Sequence, residues 1–266
     1  MTEEIQTNTL TTRVHKAFTL AEVLIALAVI GIIAVLTIPS FIQKHEEKMT
    51  IVRLKKAYSL LTQATNMAIL EHGAPDTWGL SPKQPIYDEE GNITGYDVSG
   101  IAIQRDYITK YLKGDNCEYL YECTSLPKTY IAYNLSKTTA DTVDGSLVKF
   151  QYFRTVDGTV IQFTNVVSST CTYQGRRCSD IEVFIPTKKG LYRRGVNNFM
   201  FNLTKNGIEL SGTSSSTRFS FAIDCSMKSK SEANGHGCTA WVIMNENMDY
   251  LRCDDLSCDG KHSCSD

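Results

Sequence analysis

The chain has 266 residues, 42% of them hydrophobic, with 27 Lys+Arg against 29 Asp+Glu and a formal net charge of −2. That length suffices for a sizeable domain with its own core, and the balanced charge excludes the global basic excess of a nucleic-acid-binding protein. None of the nine cysteines stands in a Cys-x-x-Cys pair, which argues against zinc-ribbon and thioredoxin-like chemistry.

Residues Met1–Ala17 are polar, with Arg13, His15 and Lys16 gathered at their end. A nearly unbroken apolar run follows from Phe18 to Phe41, and Glu22 is its only ionisable residue. As a helix rising ~1.5 Å per residue, the run reaches roughly 36 Å, enough to cross a ~30 Å hydrocarbon core. It is longer than the roughly 7–15 apolar residues of a secretory signal, and Thr37–Gln43 contains no Ala-x-Ala cleavage site. The basic flank sets the N-terminus on the cytoplasmic side and the cysteine-rich remainder outside. An oxidising compartment agrees with cysteines that close short loops: Cys117 with Cys123, Cys171 with Cys178, Cys225 near Cys238, and Cys253, Cys258 and Cys264 together. The odd number leaves one thiol over, and spacing does not say which.

A carboxylate inside an apolar run costs about 2.5–3.5 kcal/mol or more in a bilayer, so Glu22 requires a dedicated partner. The stretch Lys16-Ala17-Phe18-Thr19-Leu20-Ala21-Glu22 resembles the processing motif of type IV pilins and type II secretion pseudopilins. The resemblance covers Lys16 to about Leu70. It implies that a prepilin peptidase cuts between Ala17 and Phe18 and that Phe18 becomes N-methylated. Glu22 then takes the family's glutamate position, fifth in the mature chain, and Pro39 the position of a frequent helix-bending proline. Ala17 stands where the family usually has glycine; both are small. Cleavage creates an α-amino group with an ordinary pKa near ~8, a cation able to compensate Glu22 in low dielectric, within one chain or between neighbouring subunits.

Past Pro39 the helical pattern continues. Ile51, Leu54, Ala57/Tyr58, Leu61, Ala64/Thr65 and Ala68/Ile69 make one apolar stripe, while Lys44, Glu46, Glu47, Lys48, Arg53, Lys55, Lys56, Gln63 and Glu71 line the other face. Gly73 and Pro75 are the stop signal. Residues 74–100, rich in Pro, Gly and Asp, read as a connecting loop with little regular structure. A short helix is expected over Ile101–Leu112.

Strands dominate from about Thr129. Leu147–Phe153 and Thr159–Val166 flank the hairpin signal Asp157-Gly158, and Asn198–Thr204 turns at Asn206-Gly207 into Ile208–Leu210. Thr239–Met244 and Met248–Cys253 read as a further hairpin around Asn245–Asn247, stapled by Cys238 and Cys253 or their neighbours. The expected fold is α+β and pilin-like: a long N-terminal helix, membrane-spanning in its first half, on an antiparallel sheet stapled by disulfides. Its divisions are a leader (1–17), a transmembrane and polymerisation helix (18–41), an amphipathic continuation (42–72) and an extracytoplasmic head (73–266).

No nucleophile elbow, P-loop or His-Glu-x-x-His helix is present, so the reading is non-enzymatic. Gly235-x-Gly237-x-x-Ala240 lacks the strand a dinucleotide fingerprint needs and reads as a glycine-rich loop. No cofactor is expected. Two metal sets can be written down: His236, Cys238, His262 and Cys264, and an acidic group of Asp254, Asp255 and Asp259, of the kind some pseudopilins use for calcium near their C-terminus. By resemblance the partners are the prepilin peptidase, other pilin or pseudopilin subunits, an inner-membrane assembly platform and, before assembly, membrane lipid. The location is the bacterial cytoplasmic membrane as a single-pass protein, then a pseudopilus or surface filament. The other functional class is a ligand- or DNA-binding subunit at a filament tip, with Arg176-Arg177, Lys188-Lys189 and Arg193-Arg194 as its basic candidates.

Overall fold

The computed structural model describes residues 19–144, 151–172, 177–187, 192–213 and 219–265. It divides into two compact units, residues 1–46 and 47–266. The first holds the start of α1 (Leu20–His72), whose apolar side chains in that part are exposed except for the half-buried Ala34. It is long and apolar enough to cross a membrane.

In the second unit α1 buries Thr50, Ile51, Leu54, Ala57, Leu61, Ala64, Thr65 and Ala68, the stripe expected from the sequence. The helix stops at Gly73, whose φ of +81° is the left-handed conformation a C′ residue needs. Its N–H returns to Ile69 O at 2.9 Å, and Trp78 Nε1 donates to Gly73 O at 2.8 Å, so the chain turn is fixed on both sides.

Residues 74–100, expected as loop, contain a short hairpin, β1 (Gln84–Tyr87) and β2 (Ile93–Asp97). Its turn is closed by Asp88 Oδ1 accepting from Asn92 N at 2.7 Å. Strands this short, interrupted by Pro85 and Gly95, carry almost no periodic signal. Helix α2 (Ser99–Thr109) follows as expected.

The main sheet has six antiparallel strands in the order β11-β10-β8-β7-β6-β3: β3 (Gly114–Cys117), β6 (Gln151–Thr155), β7 (Val160–Val166), β8 (Arg177–Phe184), β10 (Asn198–Thr204) and β11 (Gly207–Leu210). Both expected hairpins form, with Gly158 at φ +81° and Gly207 at φ +116°. The strand expected at Leu147–Phe153 is observed as β6, and residues 145–150 lie outside the described ones. Strand β8 carries little alternation because it is buried on both faces. The register sets Val183 against Phe199 and Ile161, and Ile181 against Phe201 and Phe163. These side chains meet the α1 stripe in one core, with Tyr58 stacked on Phe201 at 5.8 Å. Each such side chain contributes about 1.5–3 kcal/mol on full burial.

The opposite sheet face is covered by α3 (Leu120–Cys123) and a three-stranded sheet of β5 (Ala140–Asp144), β4 (Thr129–Tyr133) and β9 (Tyr192–Arg193), in which β4 and β9 are parallel. Leu120, Leu126, Ala132, Tyr152, Val160, Phe184 and Tyr192 fill this second layer.

The closing segment is not the expected hairpin. After α4 (Phe221–Asp224), residues Thr239–Asn245 form helix α5, followed by a 3-10 turn at Asp249–Leu251. Thr239, Ala240, Trp241 and Val242 are buried in succession, which a one-sided strand does not allow. Trp241 stacks on Phe221 at 4.2 Å and donates Nε1–H to Asn247 Oδ1 at 2.8 Å. Glu246, at φ +53°, is a left-handed helix cap rather than a hairpin turn. The disulfides are Cys117–Cys123, Cys171–Cys178, Cys225–Cys238 and Cys253–Cys264; Cys258 is free and exposed. Cys238 and Cys253 thus belong to different bonds.

Candidate functional site

Of the expected processing residues, Ala17 and Phe18 lie outside the described residues. The described chain begins one step later, at the start of α1. Thr19 precedes the first helical residue, and Glu22 is the third residue of the helix. Thr19 N and Thr19 Oγ1 both donate to Glu22 Oε2 at 2.8 Å, and Glu22 N donates to Thr19 Oγ1 at 3.2 Å. This reciprocal pairing is a capping box, which satisfies amides at the helix start that have no carbonyl four residues earlier. The carboxylate also sits at the positive end of the helix dipole. Sequence reasoning assigned Glu22 to an amine at Phe18 and overlooked Thr19. The missed signal was the pattern Thr-x-x-Glu ahead of an apolar run.

Pro39 lies inside α1, which continues through it. A proline cannot donate to the carbonyl four residues back. Hydroxyls nearby are absorbed by the helix instead: Thr37 Oγ1 donates to Ile33 O and Ser40 Oγ to Thr37 O, both at 2.9 Å.

Farther along, the charged flank of α1 is tied to successive parts of the head. Arg252 Nη1 holds both oxygens of Glu47 at 2.8 and 2.9 Å while its Nη2 holds Asp249 at 2.7 Å. Lys55 pairs with Glu246, Lys56 with Asp157 at 2.7 Å, and Glu71 with Lys110 and Tyr111. Burial pushes the Asp157 carboxyl up, but hydrogen bonds from Lys56, Thr155 and Thr159 together outweigh it and hold it well below the usual range. The Glu71 carboxylate is lowered by Lys110, then Tyr111.

The metal sets are not assembled. Cys238 and Cys264 are spent in disulfides, and His236 packs edge-on to Phe219 at 5.0 Å. Asp254 pairs with Lys228 at 2.9 Å and Asp255 with Lys261 at 3.0 Å. Among the described residues, no three His, Cys, Asp or Glu side chains converge as a metal site. The glycine-rich segment is a packed turn: Gly235, at φ +110°, has no room for a Cβ against Arg194.

Where they are described, the basic candidates for a binding tip hold partners within the chain, Arg177 buried and Arg193 and Arg194 half-exposed. Arg177 is buried, 3.2 Å from Asp180. Arg193 Nε donates to Leu135 O at 2.8 Å, and Arg194 Nη1 to Glu232 O at 2.7 Å. Arg176, Lys188 and Lys189 lie outside the described residues.

Residues 12–38 match the prokaryotic N-terminal methylation motif, and residues 40–247 match a family of unknown function, DUF6613. No curated protein and no solved structure matches the chain. Because the second match spans most of the chain and the first falls on the capped apolar helix, the chain belongs to the DUF6613 family and is a type IV pilin-like protein.

Proposed function

We propose that the chain is a prepilin-like structural subunit, cut between Ala17 and Phe18 by a prepilin peptidase, N-methylated at Phe18 and assembled through α1 into a pseudopilus or type IV pilus. The observation that carries the reading is the position of Glu22: the one carboxylate of an otherwise apolar run, fixed at the first turn of the helix by Thr19. Cutting at Phe18 leaves that cap intact and adds an amine beside it. The apolar side chains from Leu20 to Phe41, exposed in the single chain, are held by lipid before assembly and by neighbouring helices afterwards. The assembly platform and other subunits are the partners. Disulfides stiffen the head outside the cytoplasm.

The test is Glu22→Ala in the host. The reading expects membrane insertion at normal levels and loss of incorporation into filaments. Normal incorporation would remove Glu22 from assembly.

A further inference from the structure

Among the described residues the β1–β2 hairpin bonds to no other strand, and its side chains are exposed or half-exposed throughout. An isolated two-stranded hairpin is marginally stable in water unless something packs against one face. The register sets Pro85 opposite Tyr96 and, past a shift between Ile86 and Tyr87 that leaves Thr94 unpaired, Tyr87 opposite Ile93, so the two pairs share a face. Tyr87 is 58% exposed, Ile93 53% and Tyr96 39%. The turn beyond carries Glu89 and Glu90, exposed and without an ion-pair partner among the described residues.

The complementary surface lies on α1 of the same chain. Lys48, Met49, Val52 and Arg53 fall within little more than one turn and form one patch. Met49 is 42% and Val52 55% exposed. Lys48 is exposed and Arg53 half-exposed, again without an ion-pair partner among the described residues. This contrasts with Glu47, Lys55, Lys56 and Glu71, which all hold the head. Both surfaces thus carry exposed apolar area, Lys83 lying over the Tyr96 ring 4.6 Å from its centroid, and the Glu89–Glu90 turn is opposite in charge to Lys48 and Arg53.

We infer that the hairpin of one subunit docks on this α1 patch of a second copy. The Tyr87–Ile93–Tyr96 face covers Met49 and Val52, and Glu89 and Glu90 reach Lys48 and Arg53. The inference rests on the filament reading, which sets copies side by side.

A photo-crosslinking residue in place of Tyr87, in the full-length chain in its host membrane, tests it. The expected product has twice the mass of the chain, with the crosslink mapping to residues 48–53. Glu89→Lys with Glu90→Lys lowers its yield at least tenfold, and adding Lys48→Glu with Arg53→Glu restores it. That rescue separates a lost contact from misfolding. A crosslink to a different protein or to another segment overturns the docking, as does failure of the charge swap to restore the yield. No crosslink in a processed, assembled chain overturns the docking alone. A monomeric chain that keeps its leader and gives no crosslink overturns both the docking and the filament reading.

Discussion

Thr19 and Glu22 bond each other across the first turn of α1, backbone and hydroxyl of one to the carboxylate of the other. The single charge of the apolar run therefore has a local task, capping the helix, besides the one proposed for it in assembly.

These two tasks separate by substitution. Glu22→Gln keeps an oxygen that can accept from Thr19 but removes the charge, whereas Thr19→Ala removes the cap and keeps the charge. Loss of a cap costs about 1 kcal/mol, so Thr19→Ala is expected to speed amide exchange over residues 20–23 in micelles while filaments still form. Glu22→Gln is expected to retain slow exchange and lose incorporation. Wild-type incorporation of Glu22→Gln would show that the charge is dispensable.

The Lys56–Asp157 pair gives the head a pH dependence of defined sign. Asp157 is held below its ordinary pKa in the fold, so its contribution is present above the unfolded value of ~3.9 and is lost as pH falls through the lower, folded one. Lys56 is half-exposed, which keeps the expected cost of Asp157→Asn to about 1 kcal/mol. In urea titrations, the gap between wild type and variant should be constant from pH 5 to 8 and begin to narrow below about pH 4. A gap that widens in acid contradicts the assignment.

Four disulfides and one free thiol make a counting prediction. Alkylation of the unreduced, denatured protein should add a single adduct, on Cys258. Replacing Cys225 and Cys238 by serine should cost about 2–4 kcal/mol, whereas Cys258→Ser should leave the melting temperature unchanged. Adducts on two or more cysteines would reject this pairing.

Trp241 is 1% exposed and sits between Phe221 and the sheet-facing core. Trp241→Ala should cost about 3–5 kcal/mol, measured by chemical denaturation. Met244, on the same helix and 71% exposed, is the control, and Met244→Ala should change stability by less than about 0.5 kcal/mol. Equal effects at both positions would contradict the helical placement of this segment.

Much of this fold was legible where periodicity was one-sided. The α1 stripe from Ile51 to Ala68, its stop at Gly73, and the hairpins at Asp157-Gly158 and Asn206-Gly207 all follow from local pattern and turn chemistry. Strand β8 escaped because both its faces are covered: Ser179, Ile181 and Val183 lie on the α1 side, while Glu182 and Phe184 meet Tyr192 on the other. Helix α5 was mistaken for a strand because a short apolar run fits either element until Trp241 has a partner. In the candidate site, Glu22 was legible from its cost in an apolar run and Thr19 from a motif that was overlooked. The ties from Lys56 to Asp157 and from Glu47 to Arg252 join residues far apart in sequence and depend on topology that no local pattern encodes.

We propose that α1 is released as a polymerisation element by a cut at its cap. Mass spectrometry of the N-terminus of the chain purified from its host tests this most directly. The account predicts a mature protein beginning at N-methylated Phe18. An intact Met1 start, or a cut beyond Pro39, would contradict it.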